Sequence, residues 1–334
     1  MIDGFSSFRW RRRFFEPGEF ELHCAATPEN LALLAGENII HRMDRREAGI
    51  IEGVKISTPD AGTGDEIVAT GRMGSSMLDR RIITPAIRFS GTAEDAMRKI
   101  VSDNAVAARP LPHLALGAAG GFSQTCSFQS EHKTLLAVCE ALGRAAPLGF
   151  RVRLDAARKR WIFEAYDGTD HSVVQAAHPV VLFSDEFQNI SGAAYAMDNT
   201  GYSNYAIVGG ESQVIAEVDR TGGGPRRELW VDTGDLQKGS LSDGDYKAQL
   251  TQRGLEKLAG AAKSESFSAN AVDTGNFAYR TDWDLGDIVS FEKWGILLNQ
   301  RITEVEEVYE NGVETITPVC GTPLPETLNL GDDS

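Results

Sequence analysis

Residues 8–24, FRWRRRFFEPGEFELHC, decide the reading of the fold. Side chains alternate along a strand, so Phe8, Trp10, Arg12 and Phe14 share one face of a first strand. Phe20, Leu22 and Cys24 share one face of a second. The spacing predicts a hairpin closed by a three-residue loop, Glu16-Pro17-Gly18. In that loop Pro17 presets φ and Gly18 supplies the left-handed residue of a bulged turn. The register pairs Phe14 with Phe20 and Trp10 with Cys24, and sets Arg13 opposite Glu21 and Arg11 opposite His23. Apolar then meets apolar and cation meets anion in one register.

Outward from this hairpin, most of the first 88 residues read as strands. Segments 49–58 (GIIEGVKIST) and 66–73 (EIVATGRM) flank a turn-rich PDAGTGD. Residues 80–83 (RRII) read as a short strand ended by Thr84-Pro85. The next stretch changes character. Residues 90–105 start with Thr92 or Ser90 as a cap and two acids in the first turn, which predicts a helix. Residues 131–146 are amphipathic, with Leu135, Val138, Cys139 and Leu142 on one face and a stop at Pro147. Segments 150–155 and 160–167 alternate cleanly and predict another hairpin.

From about residue 173 the strand pattern returns, at 180–184, 204–210, 212–219 and 226–232, with Gly222-Gly223-Gly224-Pro225 as a loop tip. One helix is expected at about 243–262. Strands follow around 287–291 and 302–309, and Asn311-Gly312 is a type I′ turn signal leading into 313–319. In that last hairpin valines and glutamates mix on both faces. It reads either as an exposed hairpin or as a barrel wall with water on one side and another subunit on the other. The expected class is α+β, mainly β, with two β-barrel-like domains at 1–88 and 173–325, a small inserted α+β domain at 89–172, and a flexible tail at 326–334.

Composition narrows the function. Of 334 residues, 48 are acidic and 33 basic, for a net charge of −15. A chain this acidic does not grip nucleic acid over its whole surface, nor an anionic membrane. No apolar run approaches the roughly 18–20 residues that span a bilayer. No signal peptide is read, because the early aromatic and basic residues interleave. Cys24, Cys126, Cys139 and Cys320 lie far apart with no CxxC, which fits free thiols rather than a zinc site or a disulfide framework.

The chemistry-bearing motifs are weak. Asp232-Thr233-Gly234 and Asp273-Thr274-Gly275 resemble the paired loops in which two aspartates share a proton. They stand 41 residues apart, too close for two lobes, with a predicted helix between them. Asp-Thr-Gly is also ordinary turn chemistry. The histidines, His23, His41, His113, His132, His171 and His178, include no HExxH. Asp167-Gly168-Thr169-Asp170-His171 follows a strand, where Asp-Gly forms a turn. Gly117-Ala118-Ala119-Gly120-Gly121 lacks the lysine and helix start of a phosphate loop and reads as a flexible loop. Asp282-Trp283-Asp284 fails as a calcium loop, because its twelfth position is Lys293. The dense basic run, Arg9, Arg11, Arg12 and Arg13 among aromatics, reads as a structural edge strand rather than a single-strand-binding strip. Trp283 and Trp294 read as core or interface anchors. No catalytic, cofactor-binding or metal-ligating residue is expected.

Strand-rich flanks, an inserted α+β segment and no catalytic set point to an assembly protein. The chain resembles the tail-tip hub proteins of long-tailed phages, kin to the baseplate hub of contractile tails. The resemblance rests first on Trp10, Pro17-Gly18-Glu19-Phe20-Glu21, Asn38-Ile39-Ile40 and Gly49-Ile50-Ile51. It continues in Gly71-Arg72 and Leu78-Asp79-Arg80-Arg81-Ile82-Ile83. Later it rests on Phe183-Ser184 before Asn189, Tyr205 to Gly209, Asp282-Trp283-Asp284-Leu285-Gly286-Asp287, Arg301-Ile302 and Gly321. It covers nearly the whole chain, through a pattern of turns and strands.

This resemblance implies a homotrimeric ring in the virion, assembled in the host cytoplasm. Two barrel-like domains per subunit let three subunits imitate a sixfold tail tube. The implied partners are tail tube and distal tail proteins and a tip fibre or spike. DNA passes through the ring without specific binding, and an acidic wall repels its phosphates. Some relatives carry a lytic or peptidase domain after the hub, whereas this chain stops shortly after the second barrel. A tail-associated peptidase or peptidoglycan hydrolase is one rival reading. A receptor- or carbohydrate-binding module is another, and exposed Trp161, Trp283 and Trp294 in one groove would favour it. A domain of a related contractile injection machine is a third.

Overall fold

The first strand of the chain lies against one of its last. The computed structural model describes residues 2, 4–58, 64–234, 236–271 and 277–321. In chain order, β1 (Phe5–Arg13) and β2 (Glu19–Ala25) precede a short helix, α1 (Pro28–Leu33), and three strands, β3 (Ile39–His41), β4 (Ala48–Ser57) and β5 (Glu66–Met73). The middle holds β6 (Ile87–Thr92), α2 (Ala93–Val101), β7 (Leu114–Leu116), β8 (Thr125–Ser130), α3 (Leu135–Ala145), β9 (Gly149–Asp155) and β10 (Arg160–Tyr166). Then follow β11 (Leu182–Ser184), β12 (Ile190–Asp198), β13 (Tyr205–Gly209), β14 (Ile215–Asp219) and β15 (Glu228–Asp232). The described chain closes with α4 (Asp243–Gly260), β16 (Ser264–Ala271), β17 (Ile288–Lys293), β18 (Ile296–Glu310) and β19 (Val313–Gly321).

The protein is mainly β, as expected. Its largest sheet runs β12-β16-β19-β18-β1-β2-β5-β4-β3, with β17 added on β18 and β11 on β17. Among the described residues this sheet does not close on itself, so the barrel-like expectation is not met as a closed barrel. β1 sits between β2 and β18, which corrects its reading as an edge strand. The last hairpin is likewise inside the sheet, because β18 pairs with both β1 and β19. Asn311 and Gly312 have φ of 53° and 78°, as their turn signal requires.

The opening hairpin keeps its predicted faces and changes its register. Trp10 pairs with Phe20, Phe8 with Leu22, Arg11 with Glu19, and Ser7 rather than Arg11 with His23. The slide is four residues, an even number, so every side chain stays on its predicted face. The three-residue loop is replaced by a longer excursion from Arg12 to Gly18. Its cause is Phe14, which leaves Phe20 and enters a different core, edge-on to Phe15 and Tyr166. Gly18 is not left-handed. It is needed because a Cβ there would lie 2.1 Å from the Arg11 carbonyl oxygen. Arg13 reaches Glu19 at 3.2 Å and Glu304 at 2.8 Å, not Glu21.

Helix starts follow the caps. The side chains of Thr92, Thr134 and Ser242 accept from the backbone N–H groups of Asp95, Ala137 and Asp245. The expected 131–146 helix therefore begins at Leu135, one residue after its cap. Leu135, Val138, Cys139 and Leu142 are all buried. Residues 74–80 form a 3-10 helix, and of the expected strand 80–83 only an isolated bridge from Ile82 to Thr134 remains. Strands β3, β6, β7, β8, β12 and β16 are short, polar or interrupted by small residues, and tertiary pairing makes them. Helix α1 is not among the expected elements, although Thr27 caps it, with Pro28 and Glu29 in its first turn. The PDAGTGD turn lies largely outside the described residues, at 59–63, as does the 326–334 tail.

Among the described residues, four apolar clusters hold the fold. One gathers α2, α3, β9 and β10 and draws in Ala48, Ile50, Met77, Leu78 and Ile83. A second packs Phe14 with Phe183, Phe267, Trp283 and Phe291. A third lies under the first hairpin, around Trp10, Phe20 and Ile67. The fourth fills the space between α4 and the sheet β14-β13-β15.

Candidate functional site

The functional geometry is concentrated where β1 meets β18. On the polar face the arginines of β1 interlock with glutamates of both neighbours. Arg11 lies 2.8 Å from Glu19 and 2.8 Å from Glu306, and Arg9 lies 3.3 Å from Glu306. Arg13 holds Glu304 and Glu19. Burial alone would lower the guanidinium of Arg11; the carboxylates of Glu304, Glu306 and Glu19 raise it instead. The basic run is therefore a cross-strand ion ladder and not a strip open to nucleic acid.

On the opposite face Arg12 is buried. It donates to Glu47 at 2.7 and 3.1 Å, to the Tyr279 hydroxyl at 2.8 Å, and to Asp284 at 2.5 Å. Tyr279 donates in turn to Glu307 at 3.0 Å. Glu307, wholly buried, also takes Arg42 at 2.6 Å and Arg45 at 2.5 Å. Burial would push the Glu47 carboxyl up; Arg12, then Arg151, overcome it and hold it at about 2. Burial acts the same way on Glu307, and Arg45 and Arg42 bring it below the usual carboxylate range. Glu47 and Glu307 are therefore held as carboxylates by their arginines, and the cluster clamps strands rather than trading protons near neutrality. Arg12 lies in phase with Phe8 and Trp10, and Glu307 in phase with Val305. A charge in the apolar phase of a strand was the signal for this cluster. Its partners Glu47, Arg42, Arg45 and Tyr279 carry no such mark.

The other motifs also have structural duties. Glu94, 2% exposed, accepts from the N–H groups of Gly120, Gly121 and Phe122 at 2.6, 2.8 and 3.2 Å. The glycine-rich loop, expected to be flexible, is thus pinned around an internal carboxylate, as such N–H concavities hold anions. Asp167 binds Arg301 at 2.7 Å, and Asp170 accepts from Ser172 N–H. His171 stands 4.0 Å from Asp287, whose carboxylate takes the N–H of Thr169 at 2.7 Å. That segment fastens to the β17 region and forms no acid–base pair. Asp232 is exposed at the end of β15, while Thr233 is buried and donates to the Gly209 carbonyl oxygen at 2.5 Å. Asp273-Thr274-Gly275 lies outside the described residues. Trp283 and Trp161 are buried, which removes the three-tryptophan groove; Trp294 is largely exposed, not a core anchor. The four cysteines are buried and free. Among the described residues no group of three His, Cys, Asp or Glu side chains is placed to hold a metal, and no helix is long and apolar enough to cross a membrane.

The fold is that of phage tail proteins. The 43 kDa tail protein of prophage MuSo2 from Shewanella oneidensis superposes with a TM-score of 0.59 at 12% identity, over 96% of this chain and 95% of its own. A tail protein from Neisseria meningitidis MC58 gives 0.56 at 12%, over 95% and 92%. Prophage tail protein gp18 from Listeria monocytogenes EGD-e gives 0.55 at 12%, over 95% and 90%. No curated protein matches the sequence. The model of one sequence family matches residues 1–322, nearly all of the chain, and by that match the protein belongs to the Siphovirus ReqiPepy6 Gp37-like family.

Proposed function

We propose that this chain is a structural hub of the phage tail tip, working as a homotrimer that joins a sixfold tail tube to a threefold tip and lines the DNA channel. Residues 1–88 and 173–325 supply the two hub domains, and 89–172 the inserted one. No reaction is assigned to it. The observation that carries the reading is the polar face of the large sheet. There Arg9, Arg11 and Arg13 are each bound to glutamates. A sheet face whose arginines are each neutralised by glutamates gives duplex phosphates little to hold and suits a passage through which DNA slides without sticking. Among the described residues β3 and β12 are the unpaired edges of the main strand order, which leaves the sheet able to meet neighbours on both sides. In this reading the ring sits at the tip of the virion tail after assembly in the host cytoplasm. Tube and distal tail proteins lie on one side and a fibre or spike on the other.

The mass in solution by light scattering tests it. A trimer of the 36.3 kDa chain is expected, at about 109 kDa. A monomer at every concentration overturns the reading. So does cleavage of peptidoglycan or casein that is lost in Asp232→Asn.

A further inference from the structure

The small sheet β14-β13-β15 has two unlike faces. Ala206, Val208, Ala216, Val218 and Val231 are buried toward α4. Among the described residues the other face is uncovered. Trp230 pairs with Ile207, and Gly209 pairs with Ile215, so an apolar strip crosses all three strands. Trp230 is 62% exposed and Ile215 50%. The indole lies over Gly209, where a Cβ would stand 2.6 Å from the ring. Glycine at 209 therefore seats the ring against backbone and leaves the rest of it to solvent.

Carboxylates surround the strip: Glu217 and Asp219 on β14, Glu228 and Asp232 on β15, all exposed. Among the described residues Arg226 is the cation tied to this face, 2.7 Å from Glu228 and over the Tyr205 ring at 3.4 Å. β15 is also an edge strand. A held aromatic ring, an aliphatic strip, a surplus of carboxylates and an open edge describe one kind of occupant. We propose that this face docks an extended, arginine- or lysine-bearing segment of a partner protein. Its guanidinium would stack on Trp230, its other cations would meet Glu228 and Asp232, and its apolar residues would lie on Ile207 and Ile215. The dense basic run of this chain, residues 9–13, is bound up in its own ion ladder, so the segment comes from another protein.

The probe is a synthetic decapeptide alternating arginine and valine, titrated into the full chain at low salt with calorimetry and tryptophan fluorescence. Saturable binding is expected, weakened about tenfold or more in Trp230→Ala and in Glu228→Gln/Asp232→Asn, and unchanged in Trp294→Ala. Circular dichroism checks that each variant is folded. No binding, or equal affinity in Trp230→Ala, overturns the proposal. Binding of a chitin oligosaccharide in place of the peptide, lost in Trp230→Ala, also overturns it and makes the face a saccharide platform. Light scattering of Trp230→Ala separates this inference from trimer formation. The oligomer is expected to persist, and its dissociation overturns the proposal by making a second copy the occupant.

Discussion

Arg12 and Glu47 meet at 2.7 Å on the buried side of the sheet that joins the two ends of the chain. Arg12 is 4% exposed and Glu47 8%, so neither charge has water to fall back on. A further cation, Arg151, stands 3.6 Å from the same carboxylate. Removing one member leaves the others buried and unbalanced. Glu47→Gln is expected to lower unfolding free energy by about 3–5 kcal/mol, read from urea midpoints. Glu52→Gln, which breaks the partly exposed pair with Arg72, is expected to change it by less than about 1 kcal/mol. Equal losses would contradict the assignment of the Arg12 cluster as the clamp.

The same cluster sets the acid limit. Glu47 in the fold sits at about 2, below its ordinary 4.5. A depressed carboxyl contributes stability that is fully present above the unfolded value and is lost as pH falls toward the folded one. Stability is therefore expected to fall between about pH 4.5 and pH 2, and Glu47→Gln to flatten that part of the profile. An unchanged slope in the variant would show that other carboxylates set the limit.

Glu140 on α3 works the other way. Burial, with the nearby charge of Glu16, raises its carboxyl to about 7, against the pull of Arg144. The fold then holds a proton that the unfolded chain has released, so this group lowers stability as pH rises from about 4.5 to 7. Glu140→Gln is expected to gain stability relative to the parent at pH 8 and not at pH 4. Thermal unfolding at the two pH values checks it, and an equal difference at both would refute it.

Phe14 is wedged between two backbones. A Cβ at Gly149 would come within 2.5 Å of its ring, and so would one at Gly286. Phe14→Ala is expected to cost about 3–5 kcal/mol, for a lost aromatic and the cavity behind it. Gly149→Ala is expected to destabilise the parent and to do so much less beside Phe14→Leu, a coupling that a double-mutant cycle measures. Additive losses would mean that the ring does not set the glycine.

The ion ladder makes a prediction about DNA. Glu304→Gln with Glu306→Gln leaves Arg9, Arg11 and Arg13 with fewer countercharges on the polar face. The parent is expected not to bind duplex DNA, and binding is expected to appear in the double variant at low salt and fade steeply as salt rises, by fluorescence anisotropy. DNA binding by the parent itself would count against a non-adhesive wall.

Alternation, caps and turn chemistry were legible in the amino-acid sequence because each is settled within a few residues. The faces of the opening hairpin followed from a period of two, and the start of α2 at Thr92 followed from its hydroxyl; the caps at Thr134 and Ser242 carry the same signal. The type I′ turn followed from Asn311-Gly312. Only the tertiary structure decided which even-numbered register the hairpin takes, since sliding by four preserves every face and the choice falls to the core that admits Phe14. It alone placed β1 beside β18, nearly three hundred residues later, and so gave the arginine run its glutamates. It turned the glycine loop into a seat for Glu94 and left Trp230 outside. Partners distant in the chain leave no spacing to read; they are chosen by burial, where an unpaired charge is too costly to keep.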